Sequence, residues 1–410
     1  MLTARPFDHR QLYVISGPVG AGKTTQVEQF LDRLVDSDYR RNGNVVVVRH
    51  PADDCNPHTI GRHQVSVADS VDEIARRISD HTETVIVVGA SHYSDSRIVD
   101  LADAVVRSGR KMVVSGLNLD VNSQPHGFMP ELMAISSHVK VRKSICHSCG
   151  DESATRSVRI KDTYLPSCTH HAAHPDLHAI ASGKGGSLSL YLGPMFAGKS
   201  TEWSREIEKL ANAGRSPIVF KYLGDTRDGS EGKRVYDVGE VTIHSGKRQP
   251  AICVRDAQDI TAYLQDHPRQ KDIALDEGQF IVGLYDFVLS SLEKGYRFHI
   301  TGLPRGFNRG SFGDIPKLMC LADNIEMNYA MCVHENGHGR CGHPATENQR
   351  LKKGEDGSVS VAHARDPLEL IGGKDQAGAS YFYEARCLKH WRLDGEKKRG
   401  YSFTPFDYSS

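Results

Sequence analysis

The sequence has no surplus of either charge: 51 Lys and Arg stand against 51 Asp and Glu. That balance argues against the basic stripe of a nucleic-acid binder and the basic patch of a membrane-surface protein, so neither partner is expected. No apolar run approaches the roughly 20 residues that span a bilayer. The opening stretch, MLTARPFDHRQLYVIS, lacks the apolar core of a secretory signal, and a cytoplasmic location is expected. A disulfide framework is not expected of such a chain, so its nine cysteines point to metal sites or free thiols.

The cysteines that are present are not scattered. Cys146, Cys149 and Cys168 form one group, and Cys332, Cys341 and Cys387 another. Cys55, Cys253 and Cys320 are isolated and read as small buried hydrophobes. With 410 residues, two domains are expected.

The two halves repeat one order of features. Each opens with an apolar strand (LYVIS, LSLYLG), a glycine-rich loop and an amphipathic helix, then further apolar strands. Each reaches a strand ending in Ser115-Gly116-Leu117 or Thr301-Gly302-Leu303. From Leu117 to Cys146 and from Leu303 to Cys332 the separation is the same, 29 residues, with MPELM and IPKLM in register between. This is an internal duplication joined near 175–187, and strands alternating with helices imply α/β domains with mainly parallel sheets.

Gly17–Thr24 and Gly193–Ser200 both satisfy G-x-x-x-x-G-K-[ST]. Such a loop turns backbone N–H groups around phosphate oxygens, its lysine charges the β/γ-phosphates, and its hydroxyl helps hold Mg²⁺. Gly17, Gly22, Lys23 and Thr24 fill these positions in the first loop; Gly193, Ala197, Gly198, Lys199, Ser200 and Thr201 do so in the second. In IALDEGQF, Asp276 and Glu277 end an apolar strand, where one carboxylate can reach Mg²⁺ and the other can take a proton from an attacking hydroxyl. In VIVVGASHY, Gly89 and Ala90 are expected at those two places, with no carboxylate before Asp95. CHSCG followed by PSCTHH gives Cys146, Cys149, Cys168 and His171, with His170 as the competing fourth ligand; this spacing marks a closed zinc site.

The second half resembles the type II thymidine kinases, the cellular and bacterial family. The likeness is carried by GPMFAGKSTE, KYLGDTR, IHSG, DEGQF, TGLPRGFNRGSFGDIPKL, CGHPATENQRL, LELIGG and YEARCLKH. It implies ATP with Mg²⁺ as phosphoryl donor, thymidine as acceptor and Glu277 as general base. Asp276 and Arg227 would serve the metal and the transferring phosphate. The nucleoside pocket carries over onto Met195, Phe280, Leu303, Phe307, Phe312 and Tyr383. A zinc-tethered lasso, roughly 342–386, would add Leu368 and Ile371. The distal zinc pair falls on Cys387 and His390, and the proximal pair on Cys341 with Cys332 or His338; Cys332 keeps the register. His334 and His343 are read as solvent-facing. Metal loss would loosen nucleoside binding before phosphate binding.

The resemblance also implies feedback inhibition by dTTP and a tetramer, which a tandem chain would meet as a homodimer. The expected architecture is two tandem P-loop domains, each followed by a small zinc-binding lasso subdomain. These span 1–178 and 187–410. The first repeat lacks the acid pair, the DTR element and the F-x-x-x-x-F spacing, so it reads as a pseudokinase. Asn348 stands where a hydroxyl is common in the family. The alternatives are a deoxynucleoside kinase of shifted base preference or a nucleotide-sensing protein without turnover.

Overall fold

The computed structural model describes residues 11–36, 45–53, 58–173, 185–225, 232–242, 248–335, 337, 339–354, 356–368, 380–396 and 400–405. The chain forms two α/β units, and each is taken by itself. The first spans 1–182 together with 398–410, the second 183–397. The closing segment therefore packs with the first unit, not with the second repeat in which the sequence places it. Arg110, almost wholly buried, explains why. Its guanidinium donates to the carbonyls of Thr82 (2.7 Å), Ser79 (3.2 Å) and Thr404 (2.7 Å), and Tyr401 reaches Asp72 at 2.8 Å.

The sheet of the first unit runs Ser66–Val67, Val45–Arg49, Thr84–Val88, Lys111–Gly116, Leu12–Ser16, His138–Val141, with every pairing parallel. That of the second runs Arg248–Val254, Ile218–Tyr222, Asp272–Leu275, Arg297–Gly302, Ser187–Leu192, Asn324–Met327 in the same sense. The orders agree strand for strand. Among the described residues the second unit adds only Val238–Thr242, antiparallel, at one edge.

The sequence explains the central strands. TVIVV at 84–88 is buried at all five positions, as expected of a strand covered on both faces. Val27 and Leu31 of the helix Lys23–Asp36 close over Ile15, Ile86 and Val113; Trp203 and Ile207 close over Tyr191 and Ala274 in the second unit. The MPELM and IPKLM register is seen directly, as helices Met129–Ile135 and Ile315–Leu321, each with proline in its first turn, where the missing N–H costs nothing.

A small ribbon follows each sheet, and here the units part. In the first, Arg156–Ile160 and Thr163–Ser167 pair across a two-residue turn at Lys161 and Asp162. In the second, Glu347–Lys353 pairs with Val359–Val361 and with Ser380–Arg386. The first unit thus has no counterpart of the chain between Lys353 and Ser380. No helix among the described residues is long and apolar enough to cross a membrane.

Candidate active site

In each sheet the strand preceding the phosphate loop has its neighbours on both sides supplied by later strands, which is where an open α/β sheet leaves a crevice. Both loops have the same backbone. Gly193 must be glycine because a Cβ there would lie 2.4 Å from the Asn328 carbonyl oxygen; at Gly17 the clash is with Arg142 O at 2.5 Å. Lys199 Nζ donates to Pro194 O at 2.9 Å and Lys23 Nζ to Pro18 O at 2.7 Å. Gly198, at φ 78°, precedes the helix Lys199–Asn212, so Ser200 and Thr201 lie in its first turn, the end of a helix that favours phosphate. Gly22, at φ 71°, precedes Lys23 and Thr24 in the same way.

Beside the second loop, Asp276 and Glu277 follow the strand Asp272–Leu275. Between them and the loop strand runs Arg297–Gly302, and its Thr301 braces both: its hydroxyl donates to Asp276 Oδ1 at 2.6 Å and accepts from Glu277 N at 3.1 Å. Gln279, buried, donates to Glu277 Oε2 at 2.6 Å and accepts from Leu303 N at 3.0 Å. Glu277 sits at φ 52°, a left-handed conformation that costs a non-glycine residue about 1–2 kcal/mol. Such strain persists where its surroundings over-determine it.

The first unit corrects the sequence alignment by one residue. Val88 pairs with Ser115, the counterpart of Thr301, and Gly89 at φ 76° opens the short helical turn Ala90–His92 as Glu277 opens Gly278–Phe280. Val88 and Gly89, not Gly89 and Ala90, therefore stand for the acid pair. The strand ladder sets this register. A second correction concerns the DTR element. Asp53 N bonds to His50 O as Asp225 N bonds to Tyr222 O, so the first unit keeps the element's aspartate, ion-paired to Arg49 at 2.9 Å.

The expected nucleoside residues fall into two clusters. Phe280 stacks on Tyr222 (5.4 Å) and meets Phe312 edge-on (5.4 Å). Phe307 instead packs with Leu368, Tyr381 and Tyr383 under the ribbon. Arg350, fully buried, organises this second cluster: it lies 3.8 Å over the Phe307 ring, and donates to the Tyr383 hydroxyl (2.8 Å), Pro367 O (2.6 Å) and Leu368 O (2.7 Å). Arg227 and Ile371 lie outside the described residues, as do Ile243–Gly246 and Cys55.

Sequence reasoning missed Tyr222, Arg350, Gln279 and Thr301 as parts of the site. Tyr222 could have been found as the aromatic inside KYLGDTR. Arg350 lies within CGHPATENQRL, but nothing in that stretch marks it as buried. Asn348 also has a definite role. Its Oδ1 accepts from Met195 N at 2.7 Å, fixing the loop, as the Ser157 hydroxyl accepts from Val19 N at 3.1 Å in the first unit.

Two Cys3His sets converge: Cys146, Cys149, Cys168 and His171, and Cys332, Cys341, Cys387 and His390, the donor atoms of each within 4.8 Å of one another. Sulfurs on one tetrahedral zinc lie about 3.8 Å apart, given Zn–S bonds of about 2.3 Å. Cys149 to Cys168 and Cys341 to Cys387 are both 4.0 Å, so the donor sets fit zinc. In both, histidine turns Nδ1 to the sulfurs. His171 takes the fourth place, with His170 outside the set, and Cys332 joins the second set; His338 lies outside the described residues. His343 is exposed, as expected, while the half-buried His334 ring lies 4.2 Å from that of His390. Cys253 and Cys320 are buried thiols, as read from the sequence.

The comparisons with known proteins agree with this geometry. A family model described as thymidine kinase matches residues 10–171 and 186–391. A curated thymidine kinase of Deinococcus deserti is 34% identical over 215 residues, covering 94% of its own length and 50% of this chain. One relative thus fills about half of a chain whose two units share a strand order. On the two matched segments, the chain belongs to the thymidine kinase family.

Proposed function

We propose that the chain phosphorylates thymidine to dTMP with ATP, and that the second unit alone does the chemistry. The observation that carries this reading is the braced pair Asp276–Glu277 facing a complete phosphate loop, against Val88–Gly89 in the first unit. Glu277 takes the proton of the 5′-hydroxyl; Gln279, bonded to one of its oxygens, fixes which oxygen is presented. Lys199 and the loop amides hold the phosphates in line with that hydroxyl, and Arg227 is read as a further cation on the transferring group. Asp276 and Ser200 are the residues suited to Mg²⁺ arriving with ATP, which supplies charge neutralisation to the β/γ-phosphates.

Tyr222, Phe280 and Phe312 offer flat apolar faces for the pyrimidine and sugar, and the segment fixed by Arg350 reads the base edge. Met195, Leu303, Phe307, Leu368, Ile371 and Tyr383 complete the pocket in this reading. The first unit acts as a pseudokinase. Inhibition by dTTP, a homodimer and a cytoplasmic location remain parts of the proposal. The test is conversion of labelled thymidine by the full chain with ATP and Mg²⁺; no dTMP at saturating substrates overturns it.

Zinc in both Cys3His sets is structural in this account, since four protein ligands leave no open position. Its reach is wider than the sequence suggests. Ala197 of the loop packs against the cluster around Cys332 and Cys387. Chelating the metal is therefore expected to raise KM for ATP and thymidine together. A rise for thymidine alone, in steady-state kinetics across a chelator series, would contradict this coupling.

A further inference from the structure

The aromatic cluster of the second unit has a counterpart in the first, built entirely from histidine. Strand registers place His50 at the position of Tyr222, His92 at Phe280 and His126 at Phe312. The geometry is retained. His50 stacks on His92 at 5.5 Å and 27°, against 5.4 Å and 23° for Tyr222 on Phe280. His126 meets His92 edge-on at 5.5 Å and 84°, against 5.4 Å and 87° for Phe312 on Phe280. Burial lowers the pKa of all three imidazoles, so near neutral pH each is uncharged, with one donor and one acceptor nitrogen. His126 Nδ1 is buried with no protein partner. Flat faces persist, now with hydrogen-bonding edges.

The surroundings are polar as well. Asp53 occupies the space that a side chain at Gly89 would need: a Cβ there would stand 2.6 Å from Asp53 Cβ. The phosphate loop is intact, and burial brings the Lys23 ammonium down to about 8, with Asp53 opposing. A second cation joins it. Arg142, where the second unit has Asn328, donates to Ala21 O at 3.0 Å with its Nη2 beside Gly22. The ribbon turns at Lys161–Asp162, so no longer insertion like that of the second unit follows. Among the described residues, the groups of three or more His, Cys, Asp or Glu donors within 4.8 Å of one another are the two Cys3His sets, and the ladder is not among them.

We propose that the first unit binds a ribonucleoside di- or triphosphate, with its phosphates in Gly17–Thr24 and its ribose hydroxyls against the His50–His92–His126 ladder and Asp53. A hydroxyl both donates and accepts, which suits neutral imidazoles beside a carboxylate. Acidic side chains near phosphate loops read ribose hydroxyls in dinucleotide sites in the same way. A deoxyribose leaves one of these buried polar groups without a partner. The inference stands apart from turnover in the second unit.

The test uses the full chain carrying Lys199→Ala, which silences the second loop. Titration calorimetry with ADP, and with 2′-deoxy-ADP, should find one site that prefers the ribonucleotide by about tenfold, the worth of one or two hydrogen bonds. Adding Lys23→Ala should remove binding. Converting the ladder to the second unit's residues (His50→Tyr, His92→Phe, His126→Phe) should keep phosphate-driven binding and erase the preference. Equal affinity for the two nucleotides, no binding, or binding that survives Lys23→Ala would each overturn the proposal. The ribo/deoxy comparison decides it even where the triple variant does not fold. Because the readout is binding at the first loop, its failure leaves the kinase reading of the second unit standing.

Discussion

Glu277→Gly is expected to lower kcat for thymidine by about 10²–10⁴-fold, the usual worth of a positioned general base, with KM little changed. It should do so without unfolding the protein. Glycine relieves the left-handed strain at φ 52°, worth about 1–2 kcal/mol. Against this stand the lost hydrogen bond from buried Gln279 to the carboxylate, about 1.5–3 kcal/mol, and a looser unfolded chain, about 0.4–1 kcal/mol. The net loss is at most about 3 kcal/mol, so the second unit should stay folded and melt no more than roughly 12 °C below the unsubstituted protein. Gly89 holds the same conformation in the first unit, so the backbone accepts glycine there. Retained turnover would remove Glu277 from the mechanism, and gross unfolding would make its role structural.

Glu347→Ala is expected to have the largest effect on stability. Glu347 Oε1 lies 2.8 Å from Arg305 Nη2 and 2.6 Å from Arg309 Nη1, and all three side chains are almost completely buried. Removing the shared carboxylate leaves two guanidinium charges without it in a medium that cannot solvate them, a loss of about 3–5 kcal/mol. For a unit of this size that is roughly 6–20 °C in melting temperature. The arginines flank the glycine-rich turn carrying Phe307, so thymidine KM should rise as well. Thermal unfolding decides it: a shift below about 2 °C would show that the triad is not the tie between that turn and the ribbon.

Much of this was legible in the sequence because it is written locally. The phosphate loops, the acid pair and the cysteine spacings each occupy a few consecutive residues, and the gap-free stretch after Leu117 and Leu303 fixed the second part of the repeat. The one-residue error at Gly89 arose because a strand's end is set by its neighbours: Val88 opposite Ser115 decides it, not the letters GA. The aspartate kept at Asp53 was hidden for the same reason, since RHPADD shares only that residue's turn with KYLGDT. The histidine ladder brings together three residues from three loops, and only the superimposable strand orders reveal it. Arg350 and Arg110 are invisible for another cause. A buried arginine looks like a surface one until the carbonyls it satisfies are known.

The central claim is that of two phosphate loops only the second serves a kinase site, and turnover by the full chain carrying Lys199→Ala tests it most directly. Gly17–Thr24 is untouched in that protein. With labelled thymidine, ATP and Mg²⁺, the expected result is a loss of dTMP formation by about 10² or more, because positioning and charge at the phosphates carry most of the catalysis. Formation of dTMP within about twofold of the unsubstituted chain, far outside that expectation, would place the chemistry at the first loop and contradict the account.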